Sequence, residues 1–144
     1  MAVALVARSE PFNRETFFEA LLERCREGEY RAKLVRARDM TAPVELGRLG
    51  NGIAAQNSVA TAIACFSLFP SSFEETITRC ILLGGDTDTI AAMAGAITGT
   101  YLGVQAIPPS WIARLEDEAN SKGRTYLTQL ANRLAAIAGK SAEA

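Results

Sequence analysis

Cys80-Ile81-Leu82-Leu83-Gly84-Gly85-Asp86-Thr87-Asp88-Thr89-Ile90 joins an apolar run to two glycines, then to two carboxylates and two hydroxyls. A helix of small residues follows directly, opening Ala91-Ala92-Met93-Ala94-Gly95-Ala96. Asp86 and Asp88 are the only acids between Glu75 and Glu116. Two carboxylates set in so long an apolar stretch need a physical reason, and the flanking sequence says what kind of fold holds them.

On the upstream side, Ser71 and Ser72 each precede a glutamate by three residues (Glu74, Glu75), a capping-box signal. The helix it opens has Ile77, Cys80 and Ile81 on its expected buried side. Before Pro70, Asn57 to Phe69 is apolar nearly all round, which marks a central helix. Further back, Asn13 can cap a helix whose apolar stripe is Phe17, Phe18, Leu21, Leu22 and Cys25, with Gly28 ending it. A more polar helix is expected over Tyr30–Asp39. The segment Thr41-Ala42-Pro43 breaks it, and Gly47-Arg48-Leu49-Gly50-Asn51-Gly52-Ile53 forms a glycine-rich turn. That turn has the wrong order for a dinucleotide fingerprint and no convincing strand before it. It reads either as a helix–helix turn or as a ligand-facing loop.

On the downstream side, the small-residue helix is expected over Thr89–Leu102, closed by Gly103, and its Ala and Gly positions let neighbouring helices approach closely. Ile107-Pro108-Pro109-Ser110-Trp111 is a rigid turn into another helix, with Trp111 a packing anchor. A last amphipathic helix carries Tyr126, Leu127, Leu130, Leu134 and Ile137, and the tail from Gly139 to Ala144 is expected to fray. No segment alternates as a strand does. Short connections between six or more helices make the fold all-α, a helical bundle in one domain over residues 1–144.

Composition narrows the function. Hydrophobic residues are 49% of the chain and charged residues 22%, so a packed core is feasible and disorder is not expected. With 15 basic against 16 acidic residues, the net charge of −1 gives no footprint for direct nucleic-acid binding. The mixed charges over residues 23–38 read as a solvated helical face. The absence of histidine removes Ser-His-Asp and Cys-His catalysis, and with no CxxC pair it also argues against zinc. Cys25, Cys65 and Cys80 are expected as buried, reduced thiols of a cytoplasmic protein. Met1–Ala7 is a poor signal peptide and too short to span a membrane; it reads as a helix entered partway along.

At a helix start, Asp86, Asp88 and Thr89 face the positive end of the dipole, which keeps the carboxylates ionised. Carboxylates and a hydroxyl are hard donors that suit Mg²⁺. Simple N-capping would need one acid, not two. One segment cannot complete six-coordination, so further ligands must come from elsewhere. The DxDxT signature of haloacid-dehalogenase-type phosphatases fails here. Its fifth position is Ile90, the glycines separate the apolar run from the acids, and no αβ alternation follows.

Leu83-Gly84-Gly85-Asp86-Thr87-Asp88-Thr89-Ile90-Ala91 with Ala94-Gly95-Ala96-Ile97 resembles the C-terminal metal motif of the ADP-ribosylglycohydrolase family. Leu49-Gly50-Asn51-Gly52-Ile53-Ala54-Ala55, with Ser58-Val59 and Thr61-Ala62-Ile63, resembles an upstream segment of the same family, and Ile107-Pro108-x-Ser110-Trp111 fits its downstream turn. The resemblance is to the ADP-ribosylhydrolase 3 branch, which acts on serine-linked ADP-ribose and poly(ADP-ribose). It implies an all-α fold with two Mg²⁺ ions, for which Asp86, Asp88 and Thr89 match metal ligands. Asn51, Gly52 and Ile53 match the segment lining the ADP-ribose cleft. It also implies hydrolysis at C1″, with Asp86 and Asp88 as the catalytic carboxylates and water attacking an oxocarbenium-like centre.

The family pattern also asks for an acidic flap residue and a Thr-Asp-Asp ligand set, and no adjacent Asp-Asp pair occurs in this sequence. The expectation is therefore a C-terminal portion of the domain, incomplete at its N-terminal side. It would carry half of the metal site and need a partner chain or covalent segment for the rest. The alternative is a non-catalytic helical module that binds ADP-ribose or a protein.

Overall fold

The computed structural model of the protein describes residues 1–7, 11–26, 28–115 and 122–142. Its elements run α1 (Ala2–Val6), α2 (Arg14–Arg24), α3 (Glu29–Asp39), a 3-10 helix (Pro43–Leu49), α4 (Ala55–Leu68), α5 (Phe73–Leu82), α6 (Thr87–Leu102), a short 3-10 helix (Val104–Ala106), α7 (Pro109–Ile112) and α8 (Arg124–Ala142). Among the described residues no strand occurs, so the all-α expectation is met. The chain divides into two units, residues 1–107 and residues 108–144.

In the first unit α4 is central and packs against α3, α5, α6 and the first 3-10 helix. Its sequence explains that place: Ala60, Ala64, Cys65 and Phe66 are fully buried, as a helix without a polar face must be. Phe66 is the hub of an aromatic cluster. Its ring lies 4.8 Å from Phe12, 5.7 Å from Phe17 and 6.0 Å from Tyr101, edge-on to each. The Tyr101 hydroxyl accepts the Phe12 amide at 2.9 Å, so the cluster also ties the entry of α2 to the end of α6.

The small residues of α6 behave as expected. A Cβ at Gly95 would lie 3.3 Å from Ile77 Cδ1, a tight contact that glycine avoids where α5 packs against α6. Asn13 caps α2 by accepting the Thr16 amide, and Ser72 caps α5 by accepting the Glu75 amide at 3.2 Å. Ser72→Ala is expected to cost about 1 kcal/mol, read as a thermal midpoint lowered by a few degrees. The Glu75 side chain turns to Arg79 at 2.6 Å instead of closing the box.

Several expectations are corrected. Ile81 is 55% exposed, because α5 buries Thr76 in its place, while Cys80 is buried as expected. Cys25 is only half-buried, since α2 ends at Arg24. Gly28 starts α3 and does not terminate α2. The turn before Gly50 is a 3-10 helix, and α4 and α6 each begin two residues early, at Ala55 and Thr87. Cys65 and Cys80 are buried free thiols. Hydrogen bonding with Cys80, and then burial, pushes the Cys65 thiol above its ordinary value and keeps it protonated.

Glu45 fixes the start of the first 3-10 helix. Its carboxylate accepts the amides of Thr41 at 3.0 Å and Ala42 at 3.2 Å, which hold its pKa below the ordinary 4.5. A depressed folded-state pKa adds stability above the unfolded value and loses it as pH falls through the folded one. The stability difference between wild type and Glu45→Gln is therefore expected at neutral pH. It should vanish on acidification below 4.5, as read by urea titrations across pH.

In the second unit, Trp111 is half-buried in α7. The stripe of α8 is exposed, with Leu127 at 49% and Leu134 at 60%. The helix runs to Ala142, beyond the expected fraying point at Gly139; residues 143 and 144 lie outside the described residues, as does Glu27 of the charged face.

Candidate functional site

The acidic motif sits at a loop-to-helix junction. Gly85 has φ +72°, and Asp86 occupies the N-cap position of α6 without making a side-chain cap. The carboxylate is thus spared for other use, while Thr87, Asp88 and Thr89 form the first turn. Asp86 is half-buried; Asp88 and Thr89 are exposed. The amide of Thr89, then hydrogen bonding with the Asp86 carboxyl and the amide of Asp88 itself, hold the Asp88 carboxyl below its ordinary 3.8. Asp88 is therefore anionic at neutral pH, with a second carboxyl within hydrogen-bonding reach.

Ion pairs among the described residues join Lys33 to Glu29, Arg38 to Asp39, Arg48 to Glu45 and Arg79 to Glu75. Among the described residues none neutralises Asp86 or Asp88. Two adjacent carboxylates and a hydroxyl, without a basic partner, are a donor set that fits a hard cation such as Mg²⁺. Among the described residues no group of three or more His, Cys, Asp or Glu side chains gathers at one point. Asp86, Asp88 and Thr89 are thus candidate donors that do not by themselves make up a cluster of three such ligands.

The glycine-rich loop lies against this helix start. The Asp86 amide donates to the Asn51 carbonyl at 2.7 Å, and Asn51 Nδ2 donates to the Leu83 carbonyl at 2.8 Å. Asn51 thus bridges the two ends of the Gly84-Gly85 turn. The approach is so close that a Cβ on Gly85 would lie 2.2 Å from the Asn51 carbonyl oxygen. The six residues expected in the site from sequence therefore come from two segments held together by one backbone hydrogen bond and one from the Asn51 side chain. Gly52 has open space where a side chain would be, and Ile53 is 89% exposed, an unusual position for a large aliphatic residue.

Sequence reasoning missed the residues that hold the loop. The Thr61 hydroxyl donates to the Gly50 carbonyl at 2.7 Å. Lys33 Nζ donates to the Leu49 carbonyl and to Asn57 Oδ1, both at 2.5 Å. A lysine four residues after a glutamate looks like a surface pair, so no local pattern marks Lys33. A separate cavity of about 410 Å³, lined by Val3, Leu21, Leu34, Met93 and Ile97, includes none of these site residues.

Among the described residues no helix is long and apolar enough to cross a membrane. A sequence model of the ADP-ribosylglycohydrolase family matches residues 1–143. "ADP-ribosylhydrolase ARH3" of Gallus gallus is 45% identical over 101 residues, covering 59% of this chain and 28% of that protein. The ARH3 of Homo sapiens is 46% identical over 89 residues, covering 55% of this chain and 24% of that protein. An uncharacterised Archaeoglobus fulgidus protein is 34% identical over 142 residues, 93% of this chain and 43% of its own length. The chain thus spans about a quarter of the ARH3 relatives and under half of the archaeal one. The family match runs through both the glycine-rich loop and the acidic helix start, and the chain belongs to the ADP-ribosylglycohydrolase family.

Proposed function

We propose that this chain supplies one wall of an Mg²⁺-dependent ADP-ribosyl hydrolase site, cleaving the C1″ glycosidic bond of serine-linked ADP-ribose on protein or of poly(ADP-ribose). The observation that carries the reading is the pair of unneutralised carboxylates, Asp86 and Asp88, hydrogen-bonded through the Asp86 backbone to the loop that exposes Ile53 and leaves open space at Gly52. Asp86, Asp88 and Thr89 would hold the metal, which supplies Lewis acidity and orients hydroxyl ligands. Ile53 offers an apolar face to the substrate, and Gly52 leaves room for its close approach. The carboxylates stabilise the positive charge that develops at C1″ and accept a proton from attacking water. The remaining ligands come from sequence outside these 144 residues, in a partner chain or a joined segment.

Calorimetry and a hydrolysis assay test this together. The 144-residue chain is expected to bind Mg²⁺ weakly and to turn over a serine-ADP-ribosylated peptide negligibly. Mixed with the N-terminal part of an ARH3 relative, it is expected to gain Mg²⁺-dependent turnover. Robust hydrolysis by the chain alone would overturn the half-site reading. A second reading, a helical module that binds ADP-ribose or a protein without cleaving, draws on the small number of acids gathered among the described residues. Metal-independent ADP-ribose binding, with no turnover after the N-terminal part is supplied, would favour it.

A further inference from the structure

We infer that Lys33, acting with Asn57, is a positioning residue for the candidate site: its ammonium clamps both ends of the loop that carries Asn51, Gly52 and Ile53. The inference rests on the proposed function only in calling that loop part of a site; the clamp itself stands on geometry. Lys33 lies on α3, away from the acidic motif in sequence, yet its side chain is only 13% exposed. Its nearest carboxylate, Glu29, is 3.9 Å away and 61% exposed, an ion pair of little worth. The close partners are the Leu49 carbonyl and Asn57 Oδ1, each at 2.5 Å. Leu49 ends the 3-10 helix and is fully buried; Asn57 lies in the first turn of α4. One ammonium therefore holds the entry and the exit of the segment 50–56.

The clamp reaches the acidic helix start through a continuous set of contacts. Asn57 packs against Gly50, where a Cβ would lie 2.9 Å from Asn57 Cγ. Thr61 fixes the Gly50 carbonyl, and the next residue, Asn51, takes the Asp86 amide and reaches the Leu83 carbonyl. If Lys33 loses its ammonium, the Leu49 carbonyl and Asn57 Oδ1 lose a charge-assisted partner at the two points that set the loop path. Asn51 then loses the fixed position from which it meets Asp86.

Amide hydrogen exchange on the 144-residue chain tests the clamp without requiring activity. Lys33→Met keeps the aliphatic stem and removes the charge. Exchange at Asp86 is expected to rise about tenfold or more, the scale of one charge-assisted hydrogen bond. The resonances of Asn51, Gly52 and Ile53 are expected to shift, while core amides of α4 such as Ala64 and Phe66 keep their protection. Asn57→Leu should reproduce this pattern and Asn57→Asp, which keeps an acceptor for the ammonium, should not. Glu29→Gln should leave it unchanged. Unchanged exchange at Asp86 in Lys33→Met, or a loss spread evenly over the α4 core, overturns the positioning role. If Lys33→Met does not fold, the contrast between Asn57→Leu and Asn57→Asp decides the question. Mg²⁺ and ADP-ribose titrations of wild type judge the functional reading separately, since the exchange pattern does not depend on either ligand.

Discussion

Gly85→Ala is expected to separate the glycine-rich loop from the acidic helix start. The new Cβ would sit 2.2 Å from the Asn51 carbonyl oxygen and 2.8 Å from Asn51 Cγ, distances no packing tolerates. The φ of +72° adds the left-handed penalty of an L-residue, about 1–2 kcal/mol. Moving Asn51 away breaks its bond from the Asp86 amide, and an unpaired group of that kind costs about 1–3 kcal/mol. The expected total is about 2–5 kcal/mol in denaturant titrations, with loss of Asp86 amide protection. Two neighbouring glycines dissect the effect. Gly84 has φ +68° but nothing within 4 Å, so Gly84→Ala reports the backbone strain alone. Gly52 has open space and no positive φ, so Gly52→Ala should stay within about 0.5 kcal/mol of wild type. Equal effects at Gly85 and Gly84 would show that the close approach of Asn51 does not hold in solution.

Much of this arrangement was legible in the sequence because it depends on local chemistry. The apolar character of Asn57–Phe69, the serine cap before α5 and the small residues of α6 each state a preference that the fold obeys. The two segments of the site were legible as motifs, but their contact was not. One of the two bonds joining them runs between backbone atoms of Asn51 and Asp86, and backbone atoms are the same in every residue. Asn51 was expected in the cleft, but no pattern indicated that its side chain would hold the Leu83 carbonyl.

Ile81 shows why counting apolar positions can misplace a helix face. Ile77, Cys80 and Ile81 form a plausible stripe, yet α5 rotates to bury Thr76. A buried hydroxyl is costly unless it is paired. Thr76 Oγ1 meets the Ser72 carbonyl at 2.9 Å and the Phe69 carbonyl at 3.0 Å, so its burial carries little cost and Ile81 turns outward. Lys33 was misjudged for the same kind of reason. Its charge pattern with Glu29 describes a solvated surface, and only the fold brings the Leu49 carbonyl and Asn57 to it. In both cases the deciding partner is a carbonyl whose position no side-chain pattern encodes.

The second large effect is expected from Asp88→Asn in the chain combined with the N-terminal part of a relative. Removing a ligand charge should weaken Mg²⁺ by at least about 100-fold, beyond the 10–100-fold typical of outer-shell partners, and turnover should fall with it. The stability of the metal-free chain should barely change, because Asp88 is exposed and Asn keeps an oxygen for the Thr89 amide. That separation makes the test sharp. At Mg²⁺ concentrations about 100 times the wild-type Kd, wild type should gain about 2.7 kcal/mol of stability by mass action, while Asp88→Asn should gain well under 1 kcal/mol. The pH dependence has a defined sign. Since the Asp88 carboxyl is held below its ordinary 3.8, protonation at that residue should not weaken metal binding until the pH is lower still. A variant that kept the full Mg²⁺-induced stabilisation would remove Asp88 from the metal site. The acidic pair would then be read as a solvent-exposed start of α6, whose negative charge complements the helix dipole.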